Sequence, residues 1–244
     1  MTRSRNHFHL LTWLGGHEMS VLIALACIVA GVWGFALLAD EVLEGGTQAF
    51  DQKLLLAFRH SDTREMLGSP SIQQAGRDIS ALGGVAVLTL LTGIAAGFLA
   101  LDGKRHMAIF LIGSVLGGLA SSTLLKDLFH RPRPDLVPFD VYVSGGSFPS
   151  GHSMMAAVTY LTLGALLARS QERKRLKAYF LLVAMLLTFA VGVTRVYLGV
   201  HWPTDVLAGW TAGAIWALLC WLMARRLQSR RTLERASEHS QAAR

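Results

Sequence analysis

The chain has 244 residues, of which 52% are hydrophobic and only 16% are charged. A soluble domain carries about 25% charged residues, so this composition excludes a disordered chain and argues against an ordinary soluble domain. Its two cysteines, Cys27 and Cys220, lie in apolar runs, and its net charge of +7 is not gathered on one polar face, which argues against a disulfide scaffold and against nucleic acid binding. An integral membrane protein with several spans remains.

Six apolar runs are candidates for membrane-spanning helices, because a helix crosses the hydrocarbon core with about 20 apolar residues. They are 19–39, 82–101, 107–125, 153–168, 178–193 and 205–224. Small residues within them, such as Gly113 and Gly117, are typical of membrane helices that pack closely. The sequence therefore predicts an all-α, polytopic membrane protein: a single domain over 1–244 with six transmembrane helices in a bundle.

The first run resembles a secretory signal peptide because Arg3 and Arg5 precede it. It is longer than the apolar part of an ordinary signal, and no clean cleavage site follows it. We expect an uncleaved signal anchor.

The longest loop, 40–81, contains a predicted helix. Phe50, Leu54 and Phe58 recur on one helical face, and the charged residues of this segment fall off that face. Such a helix lies in the outer membrane interface or caps the bundle, and the pattern fits both interpretations.

Lysine and arginine are unevenly divided between the two sides of the predicted bundle. With the N-terminus inside, the inner segments hold 15 of them and the outer segments 8. The inner segments are 1–18, 102–106, 169–177 and 225–244. Because basic residues favour the cytoplasmic side, we expect a multi-pass protein of the cell inner (plasma) membrane with cytoplasmic termini and a basic cytoplasmic tail at 225–244. The loops 126–152 and 194–204 then face the periplasm or the cell exterior.

Three polar clusters interrupt the apolar pattern at the outer ends of the predicted helices. They occupy 126–134, 149–152 and 194–205. The first and third supply Lys126, Arg133 and Arg195, which no acidic cluster of similar size balances. Charges at a membrane boundary are costly unless paired or functional, and these groups suit a phosphate. Taken singly, Lys126 also fits a snorkelling anchor and Arg195 a loop charge.

The second cluster, Pro149-Ser150-Gly151-His152, precedes the fourth apolar run. Ser150 is a favourable N-cap, and Gly151 lets a ligand approach the backbone. A helix that starts here would offer free N–H groups and its positive dipole end to an anion. His152 alone could simply cap this helix.

The third cluster places His201 four residues before Asp205. A carboxylate at this spacing can hold one ring nitrogen and leave the other free to attack, with His152 as the general acid. Two histidines beside three cations disfavour a divalent metal site. We therefore predict no metal and no cofactor. Tyr197 and Trp202 are expected in the interfacial aromatic belt.

Together these clusters resemble the three signature motifs of the type 2 phosphatidic acid phosphatase superfamily, which includes glucose 6-phosphatase and the vanadium haloperoxidases. Lys126 to Arg133-Pro134 matches the first motif, and Pro-Ser-Gly-His at 149–152 matches the second in full. Arg195, His201 and Asp205 match the third, with Thr194 in place of the usual serine. Threonine keeps the hydroxyl, so this departure is mild.

The resemblance implies a metal-independent membrane phosphatase that acts on a lipid phosphate or diphosphate through a phosphohistidine. It implies that His201 is the nucleophile, that Asp205 holds and polarises His201, and that His152 is the general acid. The implied phosphate-binding residues are Lys126, Arg133, Ser150, Gly151 and Arg195. Arg131 and His130 fall between motif positions and are left outside this set.

Several alternatives stay open at this point. The same residues would serve a phosphotransferase that uses a lipid diphosphate, and the cations alone would serve a non-catalytic transporter or flippase of anionic lipids. Candidate substrates are undecaprenyl diphosphate, phosphatidylglycerol phosphate, phosphatidic acid and a lipid A phosphate. Undecaprenyl diphosphate ranks first, because an outward-facing site suits recycling of that carrier. The expected partners are the lipid and the bilayer, with no nucleic acid and no obligate protein partner.

Overall fold

The computed structural model is helical throughout the backbone that it describes, residues 3–137 and 145–242; side chains are described for 19–137 and 145–227. Eight α-helices follow in chain order: α1 (Arg3–Leu43), α2 (Gln48–Leu56), α3 (Pro70–Ala81), α4 (Val85–Leu101), α5 (Arg105–Phe129), α6 (Gly151–Arg169), α7 (Lys174–Tyr197) and α8 (Pro203–Ala242). Over these residues the only extended pairing is one isolated bridge between Arg59 and Met66. The predicted all-α class is confirmed.

Five helices contain segments long and apolar enough to cross a bilayer. These segments are Met19–Leu43, Arg105–Phe129, Gly151–Arg169, Lys174–Tyr197 and Pro203–Leu227. The pair α3–α4 is a sixth candidate span, bent by 52° at the break between its two helices. Five of the six apolar runs found in the sequence thus lie within a helix, and 82–101 lies in α4 except for its first three residues, which agrees with the predicted bundle.

The second span differs from its prediction, because its outer part is the separate helix α3. Its residues are mostly polar, so the apolar run begins only at 82 and gives no sign of α3. Pro70 occupies the first turn of α3 after Ser69, a favourable start signal that hydropathy does not register. Gly83 and Gly84 lie in the break, where α3 turns into α4.

The predicted loop helix exists as α2, and it has two distinct faces. Phe50 and Leu54 are exposed, as an interfacial helix requires. Asp51 and Leu55 are buried against the bundle. Both interpretations of this segment therefore hold in part, because α2 caps the bundle with one face and leaves an apolar face outside.

Helix α6 lies at the centre, packed against α4, α5, α7 and α8. Glycines allow its neighbours to approach closely. A Cβ at Gly118 of α5 would lie 2.8 Å from Val158, and one at Gly213 of α8 would lie 2.5 Å from the Met154 carbonyl oxygen. This is the small-residue packing expected of membrane helices, which associate through close van der Waals contact.

We predict that Gly213→Ala destabilises the bundle, since its methyl group would overlap the Met154 backbone carbonyl. Overpacking costs about 1–3 kcal/mol, which corresponds to a fall of about 3–10 °C in Tm for a chain of this size. The measurement is thermal unfolding in detergent. Gly93→Ala on α4 is the matched control, because nothing lies within 4 Å of its Cβ position. Equal Tm values for the two variants would contradict the packing described.

Candidate active site

The three polar clusters meet at one end of the bundle. Helices α5 and α7 end there, with Lys126 and Arg195 in their last turns. Helices α6 and α8 begin there, with His152 and Asp205 in their first turns. Electrostatic interactions connect His152 with Lys126, Arg195, His201 and the loop residue Arg133. The convergence predicted from the sequence is therefore present in the structure.

His201 lies in the turn before α8 and is 1% exposed. Its Nε2 lies 3.3 Å from Nη1 of Arg133. A guanidinium can only donate, so Nε2 carries the lone pair and the ring proton belongs on Nδ1. Nδ1 lies 3.5 Å from Oδ2 of Asp205 and has no shorter hydrogen bond among the described residues. Catalytic hydrogen bonds are often this long before a substrate binds.

The protonation state of His201 follows from its surroundings. Burial lowers its pKa to about 4; Asp205 opposes this shift, and the charges of Arg195 and Arg133 add to it. The imidazole is therefore neutral near pH 7, with a lone pair on the nitrogen that faces the cations. This is the state that a nucleophilic imidazole requires.

Arg133 is held by the backbone around it. Its Nη1 donates to the Val200 carbonyl at 2.9 Å, and its Nε donates to the Gly145 carbonyl at 3.2 Å. Burial lowers the pKa of the Arg133 guanidinium, while the charge of Asp205 raises it. These contacts fix the guanidinium beside Nε2 of His201.

Arg195 is 3% exposed and reaches α3, where its Nη1 donates to Oγ of Ser80 at 2.8 Å. Its Nε has no hydrogen-bond partner among the described residues. A buried guanidinium that retains donor capacity is suited to an anionic ligand. Ser80 was not expected in the site, since α3 was not recognised from the sequence.

The start of α6 packs closely against the side chain of Lys126. A Cβ at Gly151 would lie 3.2 Å from Nζ of Lys126, so glycine leaves room for the ammonium group here. Ser150 is fully buried at the N-cap position but makes no side-chain cap; its Oγ accepts a hydrogen bond from Ser153 at 3.0 Å. Ser150 thus occupies the predicted N-cap position, but its hydroxyl does not cap the helix.

His152 packs against the break between α3 and α4. A Cβ at Gly83 would lie 3.4 Å from Cβ of His152, and one at Gly84 would lie 3.9 Å from its Nε2. The imidazole thus borders the same group of cations as His201. Larger residues at this break would crowd it.

Arg131, left outside the site by sequence reasoning, makes the shortest ion pairs near Asp205. Its Nη1 donates to Oδ1 of Asp205 at 2.6 Å, and its Nη2 donates to Oδ2 of Asp51 on α2 at 2.7 Å. His130, with φ +43°, ends α5 in the left-handed conformation and turns the chain just before Arg131. Trp202, expected at the interface, is buried, with its ring 5.7 Å from the guanidinium of Arg131.

Comparisons with known proteins agree with this geometry. The model of the PAP2 superfamily matches residues 107–229, which include all three motifs. The chain belongs to the PAP2 superfamily. Phosphatidylglycerophosphatase B of Bacillus subtilis is 30% identical over 187 residues, which cover 74% of this chain and 86% of that protein.

Two further comparisons extend the likeness. The crystal structure of the transmembrane PAP2 type phosphatidylglycerolphosphate phosphatase from Bacillus subtilis aligns with a TM-score of 0.73 and 28% identity, over 82% of this chain and 96% of that one. Lipid A 1-phosphatase of Rhizobium johnstonii is 34% identical, over 43% of this chain and 42% of its own length. The predicted family, the helical membrane fold and the general class, an enzyme that hydrolyses lipid phosphates, are thereby confirmed.

We predict that His201 remains a neutral, Nδ1-protonated imidazole down to about pH 5 in the substrate-free protein, because burial holds its pKa near 4. The measurement is ¹⁵N NMR of the histidine-labelled protein in detergent, with the signal of His201 assigned by its loss in His201→Gln. An imidazolium at pH 6, or a proton on Nε2, would contradict the geometry described for Arg133 and Asp205.

Proposed function

We propose that this chain removes phosphate from a membrane lipid through a covalent phosphohistidine on His201. The observation that carries the proposal is the buried imidazole, whose bare Nε2 faces Arg133 while Nδ1 faces Asp205. This arrangement prepares one nitrogen for attack and stabilises the positive charge that develops on the ring.

The phosphoryl oxygens would be bound by the surrounding cations and the start of α6. Lys126, Arg133 and Arg195 interact electrostatically with one another across the site. Ser150 and Gly151 add the N-terminus of α6, whose N–H groups favour an anion. Phosphoryl transfer depends mainly on positioning and on neutralising charge, and these groups supply both.

Two displacements complete the reaction. In the first, Nε2 of His201 attacks phosphorus, the bond from phosphorus to the lipid oxygen breaks, and His152 gives that oxygen its proton. In the second, His152 takes a proton from water, whose oxygen attacks phosphorus and breaks the bond to nitrogen. Phosphate leaves, and both histidines return to their starting states.

No divalent metal is required in this scheme. The charges around His201 are mainly positive, which repels a second cation and leaves phosphate neutralisation to Lys126, Arg133 and Arg195. Among the described residues, no group of three or more metal-ligating side chains lies together.

For the substrate, we propose phosphatidylglycerol phosphate first and undecaprenyl diphosphate second. A named relative that matches 74% of this chain is a phosphatidylglycerophosphatase, which supports a lipid monophosphate and changes the order suggested by the sequence. Phosphatidic acid and a lipid A phosphate remain candidate substrates, and these four lipids form the panel for the assay below. The phosphotransferase alternative uses the same residues and is distinguished by its acceptor.

We further propose that the site faces the periplasm or cell exterior, in a single membrane domain whose basic tail, 225–244, is cytoplasmic. The loop 102–106 and the turn 169–177 lie at the opposite end of the bundle and carry seven of the Lys and Arg residues. Basic loops favour the cytoplasmic side, which supports an outward-facing site in the inner membrane.

The purified protein in detergent is expected to release phosphate from lipid phosphates in the presence of EDTA. His201→Gln should lose at least about 1,000-fold in rate, because no other described group offers a comparable nucleophile. The assay uses the four lipids of the panel. Asp62→Asn, which changes an exposed carboxylate of the α2–α3 loop, is the control. Rapid acid-free quenching with ³²P-labelled substrate should trap label on the wild type and none on His201→Gln.

Full activity in His201→Gln would remove the phosphohistidine from the mechanism. Loss of activity with EDTA that Mg²⁺ restores would overturn the metal-independent scheme. Transfer of label to a second lipid, without free phosphate, would replace hydrolysis by phosphotransfer.

The orientation is tested with reporter fusions. Fusions after Gly103 and after Arg244 should read as cytoplasmic, whereas one after Asp62 should read as periplasmic or extracellular. A C-terminal fusion that reads as external would reverse the proposed topology and place the site on the cytoplasmic side.

A further inference from the structure

A buried chain of charges leads away from His201 to a residue that none of the three motifs contains. It runs from Asp205 through Arg131 to Asp51 on α2. We propose that Asp51 and Arg131 are positioning residues for catalysis, which hold the Asp205 carboxylate in the orientation that serves His201. This inference rests on the proposed function, since it assumes that His201 is the nucleophile.

Both carboxylate oxygens of Asp51 accept hydrogen bonds within this network. It is 1% exposed, although it lies on a helix of only nine residues. Its Oδ1 accepts the backbone N–H of Thr204 at 2.9 Å, and its Oδ2 accepts the hydroxyl of Thr204 at 2.7 Å. Oδ2 also accepts from Thr47 at 3.1 Å and from Arg131 at 2.7 Å. A carboxylate that accepts this many hydrogen bonds is held in one place.

Arg131 joins the two carboxylates with the two arms of its guanidinium. One arm binds Asp205 at 2.6 Å and Thr204 at 2.8 Å, and the other binds Asp51. The planar fork fixes the relative orientation of both acids, which a lysine could not do. The side chain is 13% exposed and packs over Trp202.

The contact at Asp205 determines what faces His201. Its Oδ1 is occupied by Arg131, and its Oδ2 accepts the Trp202 N–H at 2.9 Å and lies 3.5 Å from Nδ1 of His201. Without Arg131, the carboxylate could rotate about its terminal bond and exchange the two oxygens. The imidazole would then lose the fixed partner that keeps its proton on Nδ1.

Asp51 also balances the charge of Arg131. A cation paired only with Asp205 would weaken the stabilisation that this carboxylate gives to a positively charged His201. The negative charge of Asp51 offsets that cation. The Asp205 side of the site therefore contributes a more negative electrostatic potential at His201, which opposes the nearby positive charges of Lys126, Arg133 and Arg195.

A purely structural role of Asp51 and Arg131 is the competing explanation, because the same contacts connect α2 with α8. The two roles differ in what they change. Substitution of a residue with a purely structural role lowers stability and the folded fraction. Substitution of a positioning residue lowers kcat in the folded protein, and does so only while Asp205 is present. Substitutions in both backgrounds separate these effects.

The test compares Asp51→Asn, Arg131→Lys and Arg131→Gln with the wild type, using phosphatidylglycerol phosphate in detergent. We expect Asp51→Asn and Arg131→Gln to lower kcat by about 10- to 100-fold, by analogy with the loss of a supporting partner of a metal-bound histidine. KM should stay within about twofold, because the phosphate-binding cations are untouched. Arg131→Lys should fall between the wild type and Arg131→Gln, since it restores the charge without the fork.

The decisive measurement is a double-mutant cycle with Asp205→Asn, which alone should lose up to about 10⁴-fold in kcat. In that background Asp51→Asn should cost less than about twofold more, because groups that act as a unit are not additive. Equal losses in both backgrounds, or an unchanged kcat in Asp51→Asn, would overturn the inference. Tm and size-exclusion profiles confine the comparison to folded protein. Asp62→Asn, which changes an exposed acid in the α2–α3 loop, should match the wild type.

The outcome is distinguishable from failure of the proposed function. If His201→Gln remains active, the nucleophile assignment fails and Asp51 loses its proposed purpose. If His201→Gln is inactive but Asp51→Asn has normal kcat, the function stands and the positioning role is wrong. If Asp51→Asn does not fold, the same cycle with Arg131→Lys decides the question.

Discussion

The site depends on Asp205, because this residue links His201, Arg131 and the start of α6. Its side chain accepts from Arg131 of the first motif and from the Trp202 N–H, and it faces His201. Its backbone carbonyl accepts the N–H of Ser150 in the second motif at 2.9 Å. The residue is fully buried, and a buried charge is tolerated only when it is well paired. The paired carboxylate and the backbone carbonyl of Asp205 together bring three distant segments of the chain to one place.

Packing at α6 and α8 makes this convergence possible. A Cβ at Gly209 would lie 2.6 Å from the Ser150 carbonyl oxygen and 3.0 Å from Cβ of Ser153. Only glycine lets α8 approach the start of α6 so closely, and this approach allows Asp205 to accept from Ser150. Gly213, one turn further along α8, repeats the close contact inside the membrane. The glycines thus connect membrane packing directly to the geometry of the site.

The sequence predicts the spans and the convergence of the three clusters because hydropathy and motif spacing depend on local order. The charge count placed the three clusters at one end, and the structure brings them together there. Hydropathy and motif spacing could not predict the role of Asp51 on the inward face of α2. In the sequence it is a single acid in a polar loop, and its role depends on the tertiary contact with Arg131. Helix α3 was missed because it is polar, and Trp202 was misplaced because it is buried in a cluster with Leu55, Val137 and Val206 that only tertiary packing assembles.

The antiparallel arrangement of the helices explains how a cluster of cations can exist at the proposed phosphate site. Lys126 and Arg195 lie in the last turns of α5 and α7, where the negative ends of the helix dipoles stabilise positive charge. Arg59, also buried, donates to the Tyr197 carbonyl at 2.8 Å at the end of α7. His152 lies instead in the first turn of α6, whose positive end favours an anion. Helix C-termini therefore stabilise the cations, and the N-terminus of α6 lies beside them, where the proposed mechanism requires phosphate to bind.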